Sequence, residues 1–110
     1  MAVCKGRVLS IAGSDSGGGA GIQADIKTIT ALGGYAATVI TAITAQNTLG
    51  VRAIHEVSVE IIRSQMDAVL EDIGADCIKT GMLVSAEMIE AVCERLDALS
   101  PHVPRVVDPV

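Results

Sequence analysis

The chain has 110 residues, which is one domain or part of one, and half of them are hydrophobic, so material for a core is ample. A single aromatic residue, Tyr35, and a net charge of −5 exclude a base-stacking surface and a polyanion partner. The start lacks a basic segment leading into an apolar one and reads as that of a protein without a secretory leader, and the uncharged stretch Thr28 to Val51 is too broken by glycine, threonine, Gln46 and Asn47 to read as a membrane span.

In chain order, Arg7 to Gly13 reads as a first strand because it holds the apolar run Val8 to Ala12. A glycine-rich segment, Gly13 to Asp25, follows it and carries five glycines and two aspartates, Asp15 and Asp25. Ala20 to Leu32 reads as a helix with Ile22, Ile26 and Ile29 on one face, ended by Gly33-Gly34. The β-branched residues of Tyr35 to Thr44 predict a second strand, and Ala53 to Val57 a short one at a sheet edge. Ser58 is an acceptable N-cap for a helix reaching Ile73, with an apolar stripe of Ile62, Met66, Val69, Leu70 and Ile73. Ala75 to Met82 reads as a strand. Ser85 opens a further helix with Met88, Ile89, Val92, Leu96 and Leu99 facing inward, stopped by Ser100-Pro101, and Arg105 to Val110 starts a last strand. The cysteines, Cys4, Cys77 and Cys93, are odd in number and lack metal spacing. They read as reduced thiols of a cytoplasmic protein, with Cys77 and Cys93 as small core residues.

This alternation of strands and helices predicts an α/β fold with a mostly parallel sheet, whose ligands bind at the carboxyl ends of the strands. Those ends are Gly13 to Gly21, Thr44 to Asn47, Thr80 to Leu83 and Asp108 to Val110, so four segments converge on one rim. A last strand with no helix after it leaves a poorly covered side, as in a domain cut short.

The glycine segment suggests a phosphate cradle, but two common forms fail on their distinguishing residues. A P-loop needs a lysine directly after its glycines, and the nearest is Lys27, inside the predicted helix. A dinucleotide fingerprint needs an acid about twenty residues on, and residues 26 to 55 contain neither Asp nor Glu. Gln46 suits a nitrogen heterocycle, because its amide places a donor beside an acceptor. Asp15 and Asp25 are acceptors for a hydroxyl or amino group; equally, Asp15 can serve a turn and Asp25 a solvated helix face. Lys79 reads as a solvated strand-end lysine before it reads as a phosphate contact.

The runs Ile11–Asp25, Val39–Val51, Lys79-Thr-Gly-Met82 and Val107-Asp-Pro-Val110 resemble the bacterial hydroxymethylpyrimidine/phosphomethylpyrimidine kinases of thiamine biosynthesis, members of the ribokinase-like superfamily. The match runs in order from about residue 7 to the last residue and covers the N-terminal half of the family pattern. The resemblance implies a three-layer sheet with helices on both faces, truncated after the fourth main strand, with residues 1–110 as the N-terminal half of a single kinase domain. It implies ATP and Mg2+ as cofactors, and a small pyrimidine as substrate, with neither nucleic acid nor membrane as partner, in an architecture that often pairs subunits. By carry-over Gln46 reads the pyrimidine edge, Asp25 and the backbone at Gly13 help hold the substrate, and Met82 and Val110 pack on its ring. Asp108 joins a magnesium and water network. No catalytic residue falls in this chain, because the family's glycine-rich anion hole and its catalytic Cys or Asp have no counterpart here. Two alternatives stand beside this reading: a non-catalytic pyrimidine-binding module, and a pyridoxal kinase, which shares the general plan. A nucleotide-dependent oxidoreductase lacks its ribose acid.

Overall fold

The computed structural model describes residues 4–109. Strand β1 (Arg7–Asp15) leads through helix α1 (Gly21–Ala31) to β2 (Tyr35–Asn47), which turns into β3 (Gly50–Glu56). Helix α2 (Val59–Ala68) ends in a π-helical turn, Val69–Ile73, before β4 (Cys77–Thr80), helix α3 (Ala86–Leu99) and β5 (Arg105–Val107). The sheet order is β3-β2-β1-β4-β5, with every pairing parallel except the antiparallel β2–β3 ribbon.

Alternation along β1 sets the three layers. Leu9 and Ile11 are fully buried and join Val39, Ile78 and the inward residues of α2 and α3 in one core. Ser10, one residue out of phase, faces the opposite side and meets α1. The chain therefore winds one way from β1 through α1 to β2, and the other way through α2 to β4. The crevice between β1 and β4 is the point where the winding reverses, and ligands of doubly wound sheets bind at such a crevice.

Ser58 and Ser85 cap α2 and α3, accepting the N–H groups of Ile61 and Met88. On α2 the predicted stripe holds at Ile62 and Met66, fully buried, with Val69 and Leu70 packed beside them. On α3 Ala91 takes the inward place predicted for Ile89, which is exposed, because 100° steps from Met88 bring Ala91 and Val92 to the sheet. The same geometry turns Cys93 outward, so it is exposed, and Cys77 is half-buried; neither is the core residue predicted. The side chain of Gln65 acts as a substitute strand, donating to the Ile40 carbonyl (3.0 Å) and accepting from its N–H (2.9 Å) where β3 does not reach.

Strand β1 runs past its predicted end because Ser14 and Asp15 continue the ladder opposite Ile43 and Thr44, after a bulge beyond Ala12, and β2 runs past its own because Ala45, Gln46 and Asn47 pair with β3. Strand β3 does lie at the sheet edge, starts three residues earlier than predicted and is exposed throughout. Strands β4 and β5 are shorter than predicted.

Asp76, just before β4, holds the amino end of β1. Its carboxylate accepts from the Arg7 N–H (2.8 Å), Nε (3.1 Å) and Nη2 (2.9 Å). The Arg7 guanidinium, aided by the Arg7 backbone N–H, lowers the Asp76 pKa from 3.8 to about 2. A carboxyl lowered on folding stabilises the fold above its unfolded pKa and ceases to do so as pH falls through its folded one. The Tm difference between the wild type and Asp76→Asn should therefore be fully present above about pH 4 and close towards pH 2. It should also shrink with salt, since both side chains are half exposed. A difference unchanged at pH 2 would contradict this assignment.

Candidate functional site

The loop between β1 and α1 is organised by its own aspartate. Asp15 is buried, and its carboxylate accepts the N–H groups of Gly17 (2.8 Å), Gly19 (2.9 Å) and Ala20 (2.8 Å), while its carbonyl accepts the Gly18 N–H (3.0 Å). The Gly17 N–H does most to hold the Asp15 pKa below the ordinary aspartate value; burial opposes it, and the Ala20, Gly19 and Gly18 amides reinforce it. Ala20 at the N-cap of α1 offers no side-chain acceptor, and its own N–H is held by Asp15 from five residues upstream. Three amides of the glycine segment that could have served a phosphate are thus satisfied by a carboxylate within the chain. Of the two readings of Asp15, the turn is the one observed.

Two glycines set how tightly this loop packs. Gly21 sits at φ +57°, and a Cβ there would run into the Gly13 carbonyl. Gly13 in turn lies under the Met82 methyl, which a Cβ would meet at 2.5 Å. Met82 is fixed from the other side, because the buried Thr41 hydroxyl donates to its carbonyl (2.7 Å). Gln23 closes the strand end, accepting from the Asp15 N–H and donating to Ser14 Oγ, both at 2.8 Å.

Gln46 stands across the rim, near the end of β2. Its backbone is clamped by Ser16, whose hydroxyl accepts from the Gln46 N–H (2.7 Å) and donates to the Gln46 carbonyl (2.6 Å). The Thr44 hydroxyl approaches Gln46 Oε1 at 3.2 Å and the Ser14 carbonyl at 2.8 Å, and its single proton serves the nearer acceptor better. Among the described residues none accepts from Gln46 Nε2.

Asp25, in α1, lies on no solvated helix face. Its Oδ2 accepts from Ser10 Oγ (2.6 Å) on β1 and from Lys79 Nζ (2.8 Å) on β4. Ser10 and Lys79 are paired across the two strands, so the group spans the reversal point of the sheet. Lys79 is accordingly bound to Asp25, not solvated as its position at a strand end suggests. Asp25 Oδ1 accepts nothing from the described residues.

These residues surround a cleft of about 460 Å³. Gly13, Asp25, Gln46, Met82 and Asp108 all line it, so five of the residues singled out in the sequence meet at one place; Val110 lies outside the described residues. Val51 and Ile54 of the β3 ribbon also line the cleft and were missed from sequence, although their apolar character on an exposed edge strand was a signal. Asp108 is exposed, and among the described residues no three His, Cys, Asp or Glu side chains gather to hold a metal. The cleft offers an amide and a carboxylate oxygen to a small polar molecule, with Met82 and the glycine backbone as its flat walls.

A doubly wound α/β sheet with a cleft at its reversal point belongs to the class of folds that hold their ligands outside the carboxyl ends of the strands. The family model described as phosphomethylpyrimidine kinase matches residues 15–110, and the chain belongs to that family. It is 60% identical over 104 residues to the hydroxymethylpyrimidine/phosphomethylpyrimidine kinase of Mycobacterium leprae, covering 94% of this chain and 37% of that protein. The crystal structure of a phosphomethylpyrimidine kinase from Clostridium difficile superposes with a TM-score of 0.88 at 52% identity, over 94% of this chain and 45% of that one. A Staphylococcus aureus pyridoxal kinase in complex with AMP-PCP and pyridoxal superposes with a TM-score of 0.85 at 38% identity, over 98% of this chain and 40% of that one. The chain spans less than half the length of these relatives. Among the described residues no helix is long and apolar enough to cross a membrane.

Because Gly21 combines a left-handed backbone with contact on the Gly13 carbonyl, Gly21→Ala should destabilise the fold by more than ~1 kcal/mol. Urea unfolding measures this, and a midpoint within error of wild type would show that the loop is not held as described.

Proposed function

We propose that this chain is the pyrimidine-holding portion of a kinase that transfers phosphate from ATP to 4-amino-5-hydroxymethyl-2-methylpyrimidine and to its monophosphate. The observation that carries the proposal is a pair of groups at the cleft, Gln46 Nε2 and Asp25 Oδ1, that find no partner among the described residues. An aminopyrimidine edge presents an acceptor nitrogen beside an amino donor, which a Gln amide matches with two hydrogen bonds. With the amino group engaged by Gln46, the donor remaining on this substrate is its hydroxymethyl hydroxyl, and Asp25 Oδ1 accepts it. Met82, lying on the Gly13 backbone, gives the ring one apolar wall.

The phosphate-handling groups belong to the remaining length that the relatives carry. The Asp15 carboxylate supports this division, since it already holds the N–H groups of Gly17, Gly19 and Ala20 and would repel a phosphate beside them. ATP as donor is supported by the AMP-PCP complex of the S. aureus relative. Asp108 alone does not make a Mg2+ site, and its contribution to one is through water, beside groups that the rest of the kinase supplies. Identity of 52–60% to pyrimidine kinases against 38% to the pyridoxal kinase favours the pyrimidine as substrate. The free cysteines Cys4, Cys77 and Cys93 favour a cytoplasmic place for this kinase.

In the full-length kinase carrying this sequence, Gln46→Ala should weaken pyrimidine binding by roughly 1–3 kcal/mol and leave ATP binding unchanged. Calorimetric titration with each ligand measures both. Unchanged pyrimidine affinity would overturn the role of Gln46. Pyrimidine binding by the complete protein without ATP turnover would favour the non-catalytic module.

A further inference from the structure

We infer that Lys79 is a positioning residue that fixes Asp25 for the substrate hydroxyl, an inference that rests on the pyrimidine reading above. Both of the carboxylate's hydrogen bonds within the chain fall on one oxygen: Oδ2 takes Ser10 Oγ at 2.6 Å and Lys79 Nζ at 2.8 Å. A carboxylate on a helix can rotate about χ2, so its oxygens have no fixed direction of their own. Here the hydroxyl and the ammonium arrive from two adjacent strands and converge on the same atom, which removes that freedom and leaves Oδ1 as a single directed acceptor. The pair is well sheltered, with side-chain exposures of 21% for Asp25 and 22% for Lys79. Such a bond is stronger and more directional than one on an open surface.

Gly81 gives a second, independent indication. A Cβ at this position would lie 3.1 Å from Lys79 Nζ and 2.9 Å from Ala12 Cβ. The lysine therefore folds back beside the backbone at the carboxyl end of β4, in space that any side chain at residue 81 would take. Gly81 is itself fixed to β1, its N–H donating to the Ile11 carbonyl at 2.8 Å. The missing side chain at residue 81 and the pairing at residue 79 thus form one arrangement that holds an ammonium within reach of Asp25. Lys79 does not touch substrate in this account. It acts on the alcohol and not on the monophosphate, whose hydroxyl is already esterified: a fixed carboxylate oxygen rewards a ligand that donates a hydrogen bond there.

The test compares two ligands on the full-length kinase: the hydroxymethyl pyrimidine, and the same pyrimidine with a methyl group in place of the hydroxymethyl. Wild type should prefer the alcohol. In Lys79→Gln the affinity for the alcohol should fall about tenfold while the methyl analogue stays within about twofold, since only the directed hydrogen bond is lost. In turnover, the KM for the pyrimidine should rise and the KM for ATP should not move. Gly81→Ala keeps both charges and displaces the ammonium, so it should reproduce the loss of preference, and it serves as the test if Lys79→Gln does not fold. Equal weakening of both ligands together with a lower Tm would make Lys79 a mere brace and overturn the inference. An intact preference for the alcohol in either folded variant would overturn it too. Wild-type protein that binds neither pyrimidine would instead overturn the pyrimidine reading, and the inference with it.

Discussion

The site depends on one buried carboxylate. Asp15 gathers the amides of Gly17, Gly19 and Ala20, and in doing so it fixes the loop that joins the end of β1 to the start of α1. A glycine-rich turn between strand and helix is ordinarily an anion site because its N–H groups are unsatisfied. Here an internal anion satisfies them. The same backbone that could have cradled phosphate is closed on its own carboxylate, and the cleft beside it is left to a neutral heterocycle.

From that wall the rest of the arrangement follows by packing. Gly21 can approach the Gly13 carbonyl only because Gly21 has no side chain, and Gly13 lies under Met82 only because it has none either. Helix α1, started in this way, brings Asp25 over β1 to meet Ser10 and Lys79 at the reversal point of the sheet. On the opposite face the apolar core of α2 and α3 holds Leu9, Ile11 and Ile78 in register, which keeps Ser10 and Lys79 side by side. Core and site are therefore the two faces of the same pair of strands.

Much of this was legible in the sequence, for reasons that can be named. The apolar run at Val8 to Ala12, the stripe at Ile62 and Met66 and the caps at Ser58 and Ser85 are local signals, and local signals set helices and strands. The convergence of Gly13, Gln46, Met82 and Asp108 follows from strand order alone, once each is recognised as a strand end. The partnership of Asp25 with Lys79 was not legible, because the two are far apart in sequence and only the crossover through α2 makes their strands neighbours. Strand lengths were also misread where hydrogen bonding continued through polar residues, at Ser14, Asp15 and Gln46, since composition marks where a strand stops being apolar and not where its ladder ends. Ile89 and Cys93 fell on the wrong side of α3 because apolar character was allowed to outweigh helical phase.

The central claim is that the glycine loop is closed to phosphate and forms one side of a pyrimidine cleft. Backbone amide shifts of the 15N-labelled protein, followed during separate titrations with the hydroxymethyl pyrimidine and with inorganic phosphate, test it most directly. The account predicts that the pyrimidine moves the amides of Gly13, Gln46, Gly81 and Met82, and that phosphate leaves Gly17, Gly19 and Ala20 where they are. Saturable phosphate-induced shifts at Gly17, Gly19 and Ala20, with no response of Gln46 to the pyrimidine, would contradict it.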